Sequence, residues 1–418
     1  MVYVLLDGVG DLPHPDLDGM TPLEAASTPH LDELCRNGVL GEVVSVGRGI
    51  APESDIAVFN MLGYKFSHAD YAGRGVIESI GVGIDFRDGD LALRGNFATM
   101  NGDNIITDRR AGRRIDPVEA RLISKEIEEG VQFSEPDTSV MVVPTVGHRV
   151  TVRIRAGIPL SGRITNTDPA YTNVGGMGIA KAVGDVLRID RCLPLADEAA
   201  PTAKLVNEFM EQSVDIMAKS RVNGERAGRG DKLLSCILLR DAGSAYPRVV
   251  PINEKYEMLF SCIVDMPVEQ GIARVLDMKT YEAGGIGDYP QKARVAAKAL
   301  DTQNSIYVHI KGPDEFGHDG DAAGKTRSIE DIDERFFGPL LDHIDADDVA
   351  VVVSADHSTP CINKAHSDDP VPVLVSGRGT RRDATTRMTE GQARRGRMGM
   401  LAGSEVVGAA LDVMRAQR

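Results

Sequence analysis

The chain has 418 residues, 42% hydrophobic and 26% charged, with a formal net charge of −15; that length predicts two domains, or one core carrying a large insertion, and the acidic balance excludes the basic surface that a nucleic-acid partner requires. No apolar run approaches the roughly 18–20 residues needed to span a bilayer, and Met1–Leu6 is too short an apolar stretch to be a signal peptide before Asp7 ends it. Five scattered cysteines (Cys35, Cys192, Cys236, Cys262, Cys361), none at zinc-finger spacing, predict buried thiols in a reducing cytoplasm.

The first predicted strand is Val2–Leu6, ending at Asp7. Next, Gly49–Ala57 reads as a loop leading into a helix at Val58–Leu62, with Ser54 near the helix start. Between about 85 and 175 the pattern changes to short alternating runs. Leu91–Phe97, Ser139–Pro144 and His148–Arg155 predict antiparallel strands, Pro117–Gly130 and Lys204–Ser220 predict helices, and Leu193–Ala203 reads as a linker. Ala283–Tyr289 then enters a helix at Gln291–Leu300; its glycines lack the spacing of a nucleotide-binding loop. Ile306–Ile310 is a strand before Lys311-Gly-Pro-Asp314, and Lys325–Leu341 is a helix with Ile329, Ile332, Phe336 and Leu340 on one face. Val349–Ser354 precedes Asp356-His357, and Val371–Ser376 follows His366. The four β-branched runs read as buried parallel strands. The expected architecture is thus α/β: a mainly parallel sheet flanked by helices over 1–80 and 235–418, with an inserted α+β domain over 81–234.

Asp7, Asp314 and Asp356 each fall at or just after the end of a predicted strand. In an open parallel sheet ligands bind at the carboxyl ends of strands, so these acids converge, and like charges held together call for cations between them. His318, His357 and His366 lie beside them, and carboxylate with imidazole suits zinc, manganese or related divalent ions. Asp314 and His318, four apart, share a helix face if that segment is helical. Ser54 at a helix N-terminus faces free N–H groups that favour a phosphate, and metal coordination would make its hydroxyl a nucleophile. Two ions roughly 4 Å apart would clamp the attacking and leaving oxygens of a displacement.

The strings VLLDGVGD (4–11), APESDIA (51–57), GPDEFGHDGD (312–321), SADHSTP (354–360) and HSDDPVPVLV (366–375) resemble the archaeal-type 2,3-bisphosphoglycerate-independent phosphoglycerate mutases, which share the alkaline phosphatase core. The resemblance continues through YAGRGVIESIG (71–81), NFATMNGDNIITDRRAGR (96–113) and NTDPAY (166–171). It implies one metal on Asp7, Ser54, Asp356 and His357, a second on Asp314, His318 and His366, and a transient phosphoserine at Ser54. The metals implied are manganese, zinc, cobalt or magnesium, with no 2,3-bisphosphoglycerate. The substrate implied is a small molecule, 3-phosphoglycerate or 2-phosphoglycerate, in glycolysis and gluconeogenesis. For its carboxylate or phosphate the candidates are Arg109, Arg110, Lys255, Arg240 and Arg74, since arginine offers bidentate donors; Asp108 is the candidate acid/base. The insertion would close over the metals and keep glycerate bound. If it closed poorly, water would accept the phosphate and the protein would be a phosphatase. Another phosphomutase, or a metal-binding protein without turnover, are further readings.

Overall fold

The computed structural model describes residues 1–65, 72–174, 177–180, 187–345, 348–377 and 380–415. The chain divides into two compact units: Met1–Phe66, Val250–Met266 and Leu276–Arg418 form the first, Ser67–Val249 and Pro267–Val275 the second. These limits differ from the expected 1–80, 81–234 and 235–418, because helix Arg74–Gly81 and strand Cys236–Gly243 both pack into the second unit.

The first unit is built on an eight-stranded sheet. In chain order its strands are β1 (Val2–Leu6), β2 (Gly38–Val44), β3 (Phe260–Ile263), β4 (Lys279–Thr280), β5 (Ser305–Ile310), β6 (Val351–Ser354), β7 (Val371–Ser376) and β8 (Gly399–Ala402). Their spatial order is β4-β3-β5-β1-β6-β7-β2-β8. Helices Pro29–Arg36, Tyr289–Ala299 and Val406–Arg415 pack on it. Every residue of β1, β5, β6 and β7 is buried, which is why these runs are apolar without alternation. β7 is antiparallel to both its neighbours while the other pairs are parallel. This corrects the expectation of four parallel strands. A buried β-branched run reports burial on both faces, not direction. The reversal matters for the site: β7 begins at the edge where β1, β5 and β6 end, so His366, just before it, reaches that edge.

The helical stretch expected over Lys325–Leu341 runs as Ala322–Ile332, a π turn at Asp333–Phe337, and Gly338–His343. Pro339 has no N–H to donate, which accounts for the widened turn before it.

In the second unit the long strand Leu91–Met100 pairs antiparallel with Arg149–Arg155 on one side and Cys236–Gly243 on the other, and Ser139–Pro144 extends the sheet. Leu91, Leu93, Phe97, Val150, Val152, Ile154, Ile237 and Leu239 share one core with helices Pro117–Gly130 and Ala200–Lys219. The alternate residues Arg94, Arg149, Arg153 and Arg240 turn to the other face. Helix Arg74–Gly81 packs there, and helix Pro267–Val275 crosses it so closely that a Cβ on Gly271 would overlap the Ile77 carbonyl. The expected linker Leu193–Ala203 is not one. Asp197–Ala199 is a 3-10 turn into helix Ala200–Lys219, and Ala199, Thr202 and Ala203 are buried.

Candidate functional site

Most of the candidate ligands follow the ends of strands in the first unit, while His366 precedes β7 and Ser54 starts a helix. Asp7 follows β1, and its N–H still donates to the Ile310 carbonyl of β5 at 2.9 Å. Asp356 follows β6; its Oδ1 accepts from the N–H groups of Gly8 (3.1 Å) and His357 (3.0 Å), locking the β1 and β6 loops together. Gly8 has φ +59°, and a Cβ there would come within 2.6 Å of both Asp314 Oδ1 and Thr359 Oγ1, so only glycine fits. Pro313–Asp319, after β5, is a helix, so Asp314 and His318 do share a face. Helix Ser54–Met61 is buried at every residue after Ser54, which leaves that half-buried serine as its one accessible position.

Two groups of ligand atoms result. Asp7, Asp356 and His357 form one, and Asp314, His318 and His366 the other; within each, the atoms lie within 4.8 Å of one another. The groups adjoin, because the His357 and His366 rings stack with centroids 3.8 Å apart. Ser54 Oγ is 3.3 Å from His357 Nε2, and the Pro52 carbonyl before it accepts from His366 Nδ1 at 2.7 Å. The seven residues expected at the metals are therefore brought together.

The electrostatics follow from burial among like charges. Burial, and then the neighbouring Asp7, raise the Asp356 carboxyl well above the ordinary range. Burial opposes ionisation of Asp7 as well, but Lys311, His309 and His357 outweigh it and hold its pKa down. At Asp314 burial is likewise outweighed, by the His366 hydrogen bond and the charges of His357, His366 and His318. Burial and then His366 push His357 down to about 3. Burial would lower His366 too, but its bond to Asp314 prevails and raises it to about 9.

These residues fit divalent ions. Asp7 Oδ1 and Asp356 Oδ2 are shut off from solvent and accept no hydrogen bond from the described residues. Such orphaned buried acceptors are costly unless something positive meets them. The sequence reading did not single out Lys311, whose Nζ is 2.9 Å from Asp7 Oδ2. It also missed His309, fully buried with Nε2 3.6 Å from Asp356 Oδ2 and 3.9 Å from Asp7 Oδ1. A polar residue inside or just after an apolar run at the ligand edge was the available signal.

The anion-binding candidates separate into two places. In the second unit Arg109 Nη2 donates to both oxygens of Asp168 (2.9 and 2.8 Å), and Arg240 Nη1 to Asp168 Oδ2 at 3.1 Å. Both guanidiniums lie over the Tyr171 ring, at 5.3 and 4.5 Å. Arg240 Nε is 3.5 Å from Asp241 Oδ2, Arg94 Nη1 is 4.0 Å from the same oxygen, and Arg94 and Arg74 approach Glu78 Oε1 at 3.3 and 3.0 Å. Arg109, Arg240 and Arg74 thus belong to one ion-pair chain with Arg94. Arg149 feels the charges of this chain: burial, then Arg94 and Arg74, lower its guanidinium to about 10. Asp241 has φ +59°, and a β-bulge lies opposite, an irregularity that re-aims side chains. Arg110 is exposed and lines a cleft with Arg109, Arg113 and Asp108. Asp108 accepts from the N–H groups of Arg110 (2.8 Å) and Gly112 (3.0 Å), so it holds the turn that presents these arginines. Lys255 is elsewhere, in the first unit, its Nζ 4.7 Å from the Tyr64 ring. Tyr64 follows the C-terminal end of helix Ser54–Met61, roughly 12 Å of helix rise from Ser54. Asp168 and Glu78 fall within strings that carry the family resemblance but are not among the candidates read from sequence, and neither are Arg94, Arg149 and Asp241. Arginines alternating along a strand with a buried opposite face were the signal.

Comparison with known proteins gives the family. The family model described as 2,3-bisphosphoglycerate-independent phosphoglycerate mutase matches residues 35–223. The protein of that name from Aeropyrum pernix is 37% identical over 414 residues, covering 96% of each chain. One from Archaeoglobus fulgidus is 37% identical over 427 residues, covering 99% of this chain and 98% of its own. Among solved structures, a Pyrococcus horikoshii protein superposes with a TM-score of 0.81 at 28% identity over 100% of this chain and 97% of its own. A cofactor-independent phosphoglycerate mutase from Thermoplasma acidophilum gives 0.66 at 29% identity, covering 99% of both chains.

Proposed function

The chain belongs to the 2,3-bisphosphoglycerate-independent phosphoglycerate mutase family, and from that premise we propose that it interconverts 3-phosphoglycerate and 2-phosphoglycerate through a phosphoserine at Ser54. As a member of that family it is an isomerase. The observation that carries the mechanism is Ser54 Oγ at the head of a buried helix, 3.3 Å from His357 Nε2, a nitrogen that also faces carboxylate oxygens accepting no hydrogen bond from the described residues. Two divalent ions, one on Asp7, Ser54, Asp356 and His357 and one on Asp314, His318 and His366, would supply Lewis-acid charge and a deprotonated Ser54 oxygen.

Ser54 Oγ attacks phosphorus, and the bond between phosphorus and the C3 oxygen breaks. Lys311, close to Asp7, and the N–H groups at the start of helix Ser54–Met61 favour the added negative charge. The C3 oxygen leaves with a proton, and Asp108 is the proposed donor. Glycerate reorients and gives up the proton of its 2-hydroxyl to the Asp108 carboxylate left by the first step, and that oxygen takes the phosphoryl group back, freeing Ser54. Arg109 and Arg240 are the proposed holders of the carboxylate. Both already engage Asp168, so the glycerate carboxylate would compete with a matched acid, and the same planar fork serves either. Arg110 and Arg74 are secondary candidates. Lys255 is retained only as a support for the far end of the Ser54 helix. We assign the second unit to substrate binding.

The test is peptide mass spectrometry of protein quenched during turnover of 3-phosphoglycerate. A phosphate on the peptide holding Ser54, absent without substrate and absent in Ser54→Ala, supports the reading. Turnover by Ser54→Ala at the wild-type rate would overturn it.

A further inference from the structure

Thr359 lies two residues beyond His357, and its hydroxyl touches both ligand groups. Oγ1 is 2.6 Å from Asp314 Oδ1 and 3.1 Å from His357 Nδ1. We propose that Thr359 is a positioning residue that fixes the tautomer of His357, using the Asp314 carboxylate to orient its own hydroxyl proton and so coupling the two ligand groups.

The argument is an inventory of protons. A carboxylate only accepts, so the single hydroxyl proton of Thr359 lies on the 2.6 Å contact to Asp314. Towards His357 the same oxygen then acts as acceptor, so the ring proton sits on Nδ1. Nε2 is left with its lone pair, and it faces Ser54 Oγ at 3.3 Å, Asp356 Oδ2 at 3.3 Å and Asp7 Oδ1 at 3.7 Å. Without the threonine the preference reverses. Two carboxylates beside Nε2 would draw the proton to that nitrogen, and a protonated Nε2 has no lone pair to offer a metal.

The fold holds Thr359 in place from its backbone. Its N–H donates to the Gly10 carbonyl at 3.0 Å. Its carbonyl accepts from Lys325 Nζ at 2.9 Å, and that fully buried ammonium also reaches the Gly10 carbonyl (3.0 Å) and Asp11 Oδ2 (2.8 Å). All three donors of Lys325 are therefore used to tie together the loops after β1 and β6. On the other side Gly317 has no side chain, so helix Pro313–Asp319 can approach the Thr359 carbonyl. The hydroxyl is left no freedom to choose other partners.

The metal arm of the test rests on the two-ion reading; the tautomer arm does not. Nitrogen-15 correlation spectra of the metal-free protein report directly which ring nitrogen of His357 carries the proton. The expected result is Nδ1–H in the wild type and in Thr359→Ser, with a shift to Nε2–H in the isosteric Thr359→Val. Manganese titration by calorimetry should then show affinity about 10–100-fold weaker in Thr359→Val, the range for loss of a partner of a metal-bound histidine, and restored in Thr359→Ser. A wild-type His357 protonated on Nε2, or on both nitrogens, overturns the proposal, and that spectrum needs no variant to fold. So does a Thr359→Val protein with the wild-type tautomer and affinity. If the tautomer is as stated but 3-phosphoglycerate is not isomerised, the proposed reaction fails and the role of Thr359 stands.

Discussion

Glu390 is buried, and its carboxylate accepts from the Asp11 N–H at 3.2 Å and from Thr21 Oγ1 at 2.7 Å. Burial outweighs those bonds and pushes its pKa from 4.5 up to about 7. The folded protein therefore holds a proton here that the unfolded chain releases above its ordinary value. The associated stability is complete below the unfolded pKa and lost as pH rises through about 7. Above that window the ionised carboxylate costs on the order of 3 kcal/mol. Glu390→Gln keeps the shape without the titration. It should be more stable than wild type at pH 8 and lose that advantage near pH 5, as read by urea unfolding; an equal difference at both pH values would refute the assignment. Ligand residues were legible in the sequence because metal chemistry allows few residue types: Asp7, Asp314, Asp356 and the three histidines announce themselves. Thr359, Lys311 and His309 were not, because a threonine, a lysine or a strand histidine is ordinary until its partners are known.

Two contacts between elements invite substitution. Helices Arg74–Gly81 and Pro267–Val275 cross at Gly271, where an alanine methyl would meet backbone that cannot move independently. Gly271→Ala should cost about 1–3 kcal/mol or more by overpacking, measurable as a lowered urea midpoint; an unchanged midpoint would mean the helices part without cost. Lys325→Met removes the cation from a pair in which both side chains are fully buried, leaving the Asp11 carboxyl without its partner charge. That should destabilise by about 3–5 kcal/mol, and wild-type stability in this variant would contradict the pairing. Elements were legible where burial is uniform. β1, β5, β6 and β7 announce themselves, as do helix Pro117–Gly130 and the part of helix Ala200–Lys219 from Lys204 on, its first turn having read as linker. β2 has two glycines, β3 mixes serine and cysteine, and Cys236–Gly243 carries Arg240 and Asp241 before its end, so none shows a clean pattern. The direction of β7 was not legible at all, since apolar character is the same read either way. Yet the position of His366 before that strand required a reversal if it was to join ligands that follow theirs.

At the scale of the whole chain, the alternation of an α/β pattern with an antiparallel middle was readable, and two compact units result. Their limits were not, because helix Arg74–Gly81 and strand Cys236–Gly243 look like elements of either unit until their partners are seen. The return of Pro267–Val275 to the second unit leaves no compositional trace. No helix among the described residues is long and apolar enough to cross a membrane. The two ligand groups share one reliance on charge: three carboxylates converge there, so a chelator should abolish turnover and restored divalent metal should return it, while a chelated protein that keeps full activity would exclude the two-ion reading. The most direct measurement follows 3-phosphoglycerate by phosphorus NMR with metal-loaded protein and no 2,3-bisphosphoglycerate, beside Ser54→Ala. The account predicts 2-phosphoglycerate in the wild type and none in the variant. Inorganic phosphate as the only product, or isomerisation undiminished in Ser54→Ala, would contradict it.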